Sequence, residues 1–199
     1  MKLVMASSVA FFHPSMIFEK PLNPVLGETY QAVAVDGARV FLEQTSHHPP
    51  VSHLYMEGPD NRYTVSGWST YVIRAGMNSA TVVSDGHKKV TFHDGHTIKY
   101  NNPGDYLYNL FMGTMCHQIT GKMEFHDEQN NIYGVYEFGK VKKKTQDYFS
   151  GHIAKCGQPV CEVYGNYMGY MDFNKVRYFD VREINSCWRP LKAVGDKAI

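Results

Sequence analysis

Strand-like runs of apolar and aromatic residues, each short and each closed by polar or turn-forming residues, recur from residue 30 to residue 180. They occupy residues 30–35, 39–44, 53–56, 63–66, 80–83, 89–92, 97–100, 106–110, 116–125, 132–138, 148–154, 161–167 and 176–180. Runs of this kind bounded by Gly, Pro, Asn and Asp read as β-strands, because Gly and Asn accept the positive φ of tight turns and Pro presets its own. The punctuation is Asp36-Gly37-Ala38, Asp85-Gly86, Asp94-Gly95, Asn101-Asn102-Pro103-Gly104, Asn130-Asn131 and Gly157-Gln158-Pro159, the first with the composition of a hairpin loop. So many strands with short connections predict a mainly β fold: a meandering antiparallel sheet that resolves its edges by curling into a barrel. No internal repeat, low-complexity stretch or linker interrupts the pattern, so residues 1–199 read as a single domain.

Ahead of the first strand, residues 1–12 hold a short apolar run broken by Ser7 and Ser8, with no convincing cleavage site after it. This predicts a short buried N-terminal helix rather than a signal peptide. No stretch approaches the roughly 20 apolar residues that cross a bilayer, so membrane contact is expected to be peripheral. A barrel of more than ten strands is too wide for its own side chains to fill. The space left would suit a lipid-sized apolar ligand, roughly 300–1,000 Å³, although a solid core fits the pattern equally well. The 14 Tyr, 11 Phe and 2 Trp supply aromatic mass, and Trp68 and the tyrosines read as core rather than ligand wall.

A formal charge of +1 argues against bulk electrostatic binding, so no nucleic-acid partner is expected. Cys116, Cys156, Cys161 and Cys187 show no C-x-x-C spacing, which points to reduced thiols in a cytoplasmic protein. The histidines outside residues 47–48 are scattered. His93-Asp94-Gly95-His96 falls on a turn with no further ligand cluster, so neither a metal nor a cofactor is expected. With no nucleophile elbow either, the chain reads as non-enzymatic. Lys140, Lys142, Lys143 and Lys144 form the most basic patch. Its plain reading is a solvated loop; its functional reading is docking on anionic cytoplasmic membranes, where each lysine contributes about 1 kcal/mol.

The most distinctive stretch is Leu42-Glu43-Gln44-Thr45-Ser46-His47-His48-Pro49-Pro50. The prolines keep it out of a helix and stiffen it, and His47 and His48 can share one ligand only if the backbone bends there. An isolated His-His pair is more often a surface pair than a site. Residues 43–50, however, resemble the signature of the oxysterol-binding protein family: Glu, Lys or Gln, any residue, Ser, His, His or Arg, Pro, Pro. Every fixed position matches. Upstream, Lys20-Pro21-Leu22-Asn23-Pro24-Val25-Leu26-Gly27-Glu28 is similar to the second hallmark of that family, in the right order and at about the expected separation. Weaker similarity continues through residues 108–110 and 151–153 as far as Trp188.

The resemblance implies an incomplete antiparallel β-barrel around a lipid tunnel, with a helix just before the Lys-Pro motif. It implies that Lys20, Asn23, His47 and His48 contact the headgroup of phosphatidylinositol 4-phosphate, and that a sterol, or phosphatidylserine, takes the same tunnel in alternation. Exchange of the two lipids at membrane contact sites would follow; a phosphoinositide-binding scaffold without transfer is the alternative. The chemistry is coherent, since a phosphomonoester offers three acceptor oxygens and wants several converging donors. Bound phosphate would favour charged imidazoles, so binding should strengthen in mild acid. Glu28 and Glu43 are not expected to be contacts, and Gly27 fits a position of positive φ. Family domains are longer, with an N-terminal lid and a C-terminal extension that supplies further basic residues and a glutamate. Residues 189–199 hold no matching segment, though Lys192 or Lys197 could partly substitute. The chain is thus expected to be the core portion of such a domain, or a reduced member with an open-ended barrel.

Overall fold

The computed structural model describes residues 1–10, 24–34, 36–139 and 141–183. A short helix, α1 (Lys2–Ala10), precedes thirteen strands: β1 (Thr29–Val33), β2 (Arg39–His47), β3 (Pro50–Glu57), β4 (Tyr63–Ala75), β5 (Ser79–Phe92), β6 (Thr97–Asn101), β7 (Gly104–Tyr108), β8 (Cys116–Asp127), β9 (Ile132–Phe138), β10 (Tyr148–Lys155), β11 (Gln158–Asn166), β12 (Tyr170–Phe173) and β13 (Val176–Asp180). They form one antiparallel meander in chain order, except that β6 and β7 share the place between β5 and β8. Asn101 bridges the break between those two half-strands, donating to Lys122 O at 2.9 Å and accepting from Glu124 N at 2.7 Å. The mainly β fold with one N-terminal helix is as expected. The sheet is open, with β1 and β13 at its two ends, as the incomplete barrel implied by the resemblance requires, and is not closed on itself.

Several strand assignments change. Residues 80–83 and 89–92 belong to the single strand β5, and Asp85-Gly86 is a kink inside it rather than a turn. Gly86 has φ +119°, and a Cβ there would collide with the carbonyl oxygen of Trp68. A glycine thus allows the two longest strands to run side by side where a turn was read. Strand β12 lies in a stretch read as connection. Gln158 and Pro159, read as turn, open β11.

Register assigns each side chain to a face. The inner face carries Val65, Val90, Ile98, Phe125, Tyr136, Phe149, Val163 and Phe173, which form one buried cluster with Val4, Met5 and Val9 of α1. Aromatic rings run through it in contact, Tyr100–Phe125 at 5.2 Å, Phe125–Tyr136 at 5.3 Å and Tyr136–Phe149 at 5.1 Å between centroids. Helix α1 can lie this close because Gly134 has no side chain; a Cβ there would come within 2.9 Å of Met5 Sδ.

One polar contact fixes the helix in its register. Ser8 Oγ donates its only proton to Met5 O at 2.7 Å, so at the 2.7 Å contact between Ser8 Oγ and the Tyr136 hydroxyl, the phenol is the donor. Burial holds that phenol well above the ordinary tyrosine range. Ser8→Ala leaves the buried phenol with only Met123 Sδ, at 3.3 Å, as acceptor, whereas Tyr136→Phe leaves Ser8 still bonded to Met5 O. Urea unfolding should therefore show a loss of about 1–3 kcal/mol for Ser8→Ala and a smaller loss for Tyr136→Phe. The reverse order would mean that the phenol is not the donor.

Candidate functional site

Regular alternation would place Gln44 and His47 on opposite faces of β2. The β2–β3 ladder shifts register between Gln44 and Ser46: Gln44 lies opposite Ser52, Ser46 opposite Val51 and His47 opposite Pro50. Thr45 is the extra residue of a β-bulge, and the bulge swings His47 onto the inner face that carries Gln44. Gln44 is buried and uses its side-chain nitrogen twice, donating to Ser46 O at 3.1 Å and to His47 Nδ1 at 2.8 Å. Because a carbonyl oxygen only accepts, the contact with Ser46 orients the amide, and His47 Nδ1 must accept as well. The His47 proton then sits on Nε2, on the far side of the ring, where it can donate to a ligand. His48 follows in the turn, its ring centroid 5.1 Å from that of His47 and the planes at 74°, and its bond to Pro49 is cis. Both imidazoles are exposed.

The other motif reaches the same place. Residues 25–28 form a turn closed by Glu28 N donating to Val25 O at 3.0 Å, and Glu28 Oε2 accepts from Val25 N at 3.1 Å. Glu28 therefore braces its own turn. Gly27 has φ +79°, and its N–H donates to Gln44 O at 3.2 Å, so the end of the first motif is docked on the residue that orients His47. Lys20 and Asn23 lie outside the described residues.

The inner face of β2 and β4 leaves Leu42 exposed on one side of the turn and Tyr71 and Ile73 exposed beyond it, with Leu54 and Met56 packed at the margin of the core. A polar row crosses this face. Lys88 Nζ donates to Asn102 Oδ1 at 2.8 Å, and Asn102 Nδ2 donates to Ser69 Oγ at 3.0 Å. Burial holds the Lys88 ammonium below the ordinary lysine range.

Opposite α1, the outer face has an open groove of about 540 Å³. Phe41, Tyr55, Trp68, His87, Lys89 and Lys99 line it, with Trp68 and His87 edge to face at 5.8 Å. Trp68 is therefore groove wall, not core: its neighbours Val65 and Gly67 take the inner positions of β4, and residue 68 alternates outward. Glu43 and His53 border the same groove, so Glu43 faces away from His47.

A protein-family model described as oxysterol-binding protein matches residues 1–189. The chain belongs to the oxysterol-binding protein family. It is 27 % identical to oxysterol-binding protein 9 of Dictyostelium discoideum over 210 residues, covering 92 % of this chain and 49 % of that protein. It is 31 % identical to oxysterol-binding protein-related protein 5 of Mus musculus over 147 residues, covering 69 % of this chain and 17 % of that protein. Its fold matches the ORD of Osh3 from Saccharomyces cerevisiae, solved in complex with PI(4)P, with a TM-score of 0.77 at 21 % identity over 90 % of this chain and 51 % of that one. The Osh1 ORD domain, solved in complex with ergosterol, matches with a TM-score of 0.76 at 18 % identity over 97 % and 50 % of the two chains. This member of the family thus spans about half the length of those ORD chains and of the Dictyostelium relative.

The lysine patch is split by what is described. Lys140 lies outside the described residues, while Lys142, Lys143 and Lys144 are exposed on the β9–β10 loop. Lys144 Nζ sits 4.9 Å from the Tyr148 ring centroid, a cation–π contact. His93 and His96 flank a turn as expected. His96 Nε2 meets Asp127 Oδ2 at 2.8 Å, and Asn130 donates to the same carboxylate at 3.0 Å, so this cluster clasps two turns.

Two residues of this family member escaped the sequence reading. Gln44 stood in the motif as a Lys-or-Gln position with no role, and Lys88, just before the run 89–92, drew no reading. Long-range nitrogen-15 NMR at about pH 8, above the ordinary histidine range, should show His47 protonated on Nε2. In Gln44→Leu both tautomers should appear. Finding the Nδ1–H form predominant in the unsubstituted chain would contradict the geometry of the bulge.

Proposed function

We propose that this chain binds phosphatidylinositol 4-phosphate, with the phosphate held by His47 and His48 together with Lys20 and Asn23. The acyl chains would run along the inner face past Leu42, Tyr71 and Ile73. The observation that carries the reading is the meeting of both motifs at Gln44, whose backbone oxygen receives Gly27 and whose side chain orients His47. Donors fixed before the ligand arrives reduce the ordering cost of binding. The PI(4)P complex of the Osh3 ORD supports the headgroup, and the ergosterol complex of the Osh1 ORD domain supports a sterol as the alternate occupant; phosphatidylserine is a further candidate. Occupancy by one lipid or the other would let a cytoplasmic carrier move one lipid against the other between membranes. No bond is made or broken, so the protein acts as a carrier rather than an enzyme.

A phosphoinositide-binding scaffold without transfer is the second reading, since the meeting of the two motifs at Gln44 bears on headgroup binding and not on movement of lipid. Transfer between two liposome populations separates them: headgroup-dependent binding with no lipid movement supports the scaffold.

Mass spectrometry of lipids that co-purify with the chain tests the headgroup site. A His47→Ala, His48→Ala double variant should lose phosphoinositide at least about tenfold, since hydrogen bonds to a charged group contribute about 1.5–3 kcal/mol each, and should keep its thermal unfolding midpoint. Retention of phosphoinositide by that variant would reject the assignment.

A further inference from the structure

We infer that the end of the sheet formed by the β4–β5 hairpin and the β7–β8 loop is a membrane-insertion tip for anionic bilayers. Met77, Phe111 and Met112 are 97 %, 79 % and 76 % exposed, and Met115 is exposed beside them. Large apolar side chains so exposed, side by side on two joined loops, cost free energy in water and release it on transfer to a hydrocarbon boundary. Their presentation is built rather than loose. Asn78 Oδ1 accepts from Phe111 N at 2.8 Å and Met112 N at 3.2 Å, and Asn78 Nδ2 donates to Met112 O at 3.0 Å. The Leu110 N–H donates to Asn78 O at 3.3 Å, and Gly76 N to Ser79 O at 2.7 Å closes the hairpin. One asparagine thus holds the two loops as a unit.

Charge on the same end selects the partner. Tyr106 and Tyr108 stack behind the tip at 5.6 Å, and the Tyr108 hydroxyl donates to Gln146 Oε1 at 2.8 Å, joining the tip to the loop that carries Val141, Lys142, Lys143 and Lys144. Tyrosines with an apolar body and a bonded polar end suit the headgroup level of a bilayer. Arg74 is exposed on the strand that leads into the tip. Two acids near the tip are engaged with protein: Asp105 with His117 at 2.7 Å and Asp147 with Asn166 at 3.0 Å. Apolar insertion and a cationic collar together fit a surface that is greasy beneath and negative above. The His47–His48 turn opens at this end too, since Val51 pairs with Thr70 while β4 runs on to Ala75. The tip does not depend on the headgroup reading, and a bilayer without phosphoinositide is sufficient to test it.

The test is co-sedimentation of the 199-residue chain with vesicles of phosphatidylcholine and phosphatidylserine, against vesicles of phosphatidylcholine alone. The chain should bind the former better, and Met77→Ser, Phe111→Ser, Met112→Ser combined should weaken binding at least about tenfold. Lys142→Gln and Lys143→Gln should each weaken it about fivefold. In a Phe111→Trp variant, lipids brominated in their acyl chains should quench the added emission. Equal binding by the serine variant would overturn the inference in favour of charge alone. Equal binding to the neutral vesicles would overturn the anionic part. Self-association that the serine variant abolishes would overturn it in favour of a second copy of the chain. Titration of the serine variant with soluble short-chain phosphatidylinositol 4-phosphate should be unchanged, which separates this surface from the headgroup site.

Discussion

A strand turns successive side chains to opposite faces, and nothing in a regular β2 could bring Gln44 and His47 together. One extra residue, Thr45, breaks that rule locally. From the break follow the shared face, the hydrogen bond that sets the His47 tautomer, and the placement of an N–H donor over a surface where Leu42, Tyr71 and Ile73 are uncovered. A buried glutamine carries the arrangement because its amide has enough donors to satisfy both Ser46 O and His47 Nδ1. A buried carboxylate at residue 44 could not donate to Ser46 O, and an alkyl side chain would leave both acceptors unmet. The preference at that motif position for a long side chain bearing nitrogen thus has a physical reason in this chain.

The sheet divides its work along its length and between its faces. Over β6 to β12 the inner face is closed by α1 and a run of touching aromatic rings, which leaves little room for a ligand but gives the open sheet a rigid half. Over β2 to β5 the same face is less covered, and its buried groups include the Lys88, Asn102 and Ser69 row. Gly86 lets β4 and β5 stay paired through thirteen registered positions, so their hairpin projects well past the His47–His48 turn.

Much of this was legible in the residues. Turn-forming pairs marked Asp36-Gly37, Asp94-Gly95 and Asn130-Asn131 because positive φ leaves few choices of side chain, and the two proline-bearing motifs announced themselves by their stiffness. The rest was hidden for identifiable reasons. Gly86 beside Asp85 carries the composition of a turn, yet its lack of a Cβ serves a close strand approach, which is a tertiary fact. The strand β12 is only Tyr170–Phe173, too short to show a period. A bulge at Thr45 has no compositional mark, since threonine is an ordinary strand residue. Trp68 was read as core, whereas strand parity sends it outward. Lys20, Asn23 and Lys140 fall outside the described residues, so the donor set is seen here through His47 and His48.

Net charge illustrates how a sum can conceal an arrangement. The value of +1 disfavoured bulk electrostatic binding, and it remains true of the whole chain. Asp36, Asp60, Asp94 and Glu128, however, are exposed on turns at the end of the sheet away from the His47–His48 turn, where Arg62 and Lys99 answer only Asp60 and Glu128, each at 3.4 Å. Lys142, Lys143 and Lys144 stand at the other end, where Asp105 and Asp147 are bonded to protein groups. Solvent screens such charges beyond roughly 8 Å at physiological ionic strength, so an approaching surface meets the field of the nearer end and not the sum. A nearly neutral chain can therefore be oriented by an anionic surface while remaining weakly attracted from a distance.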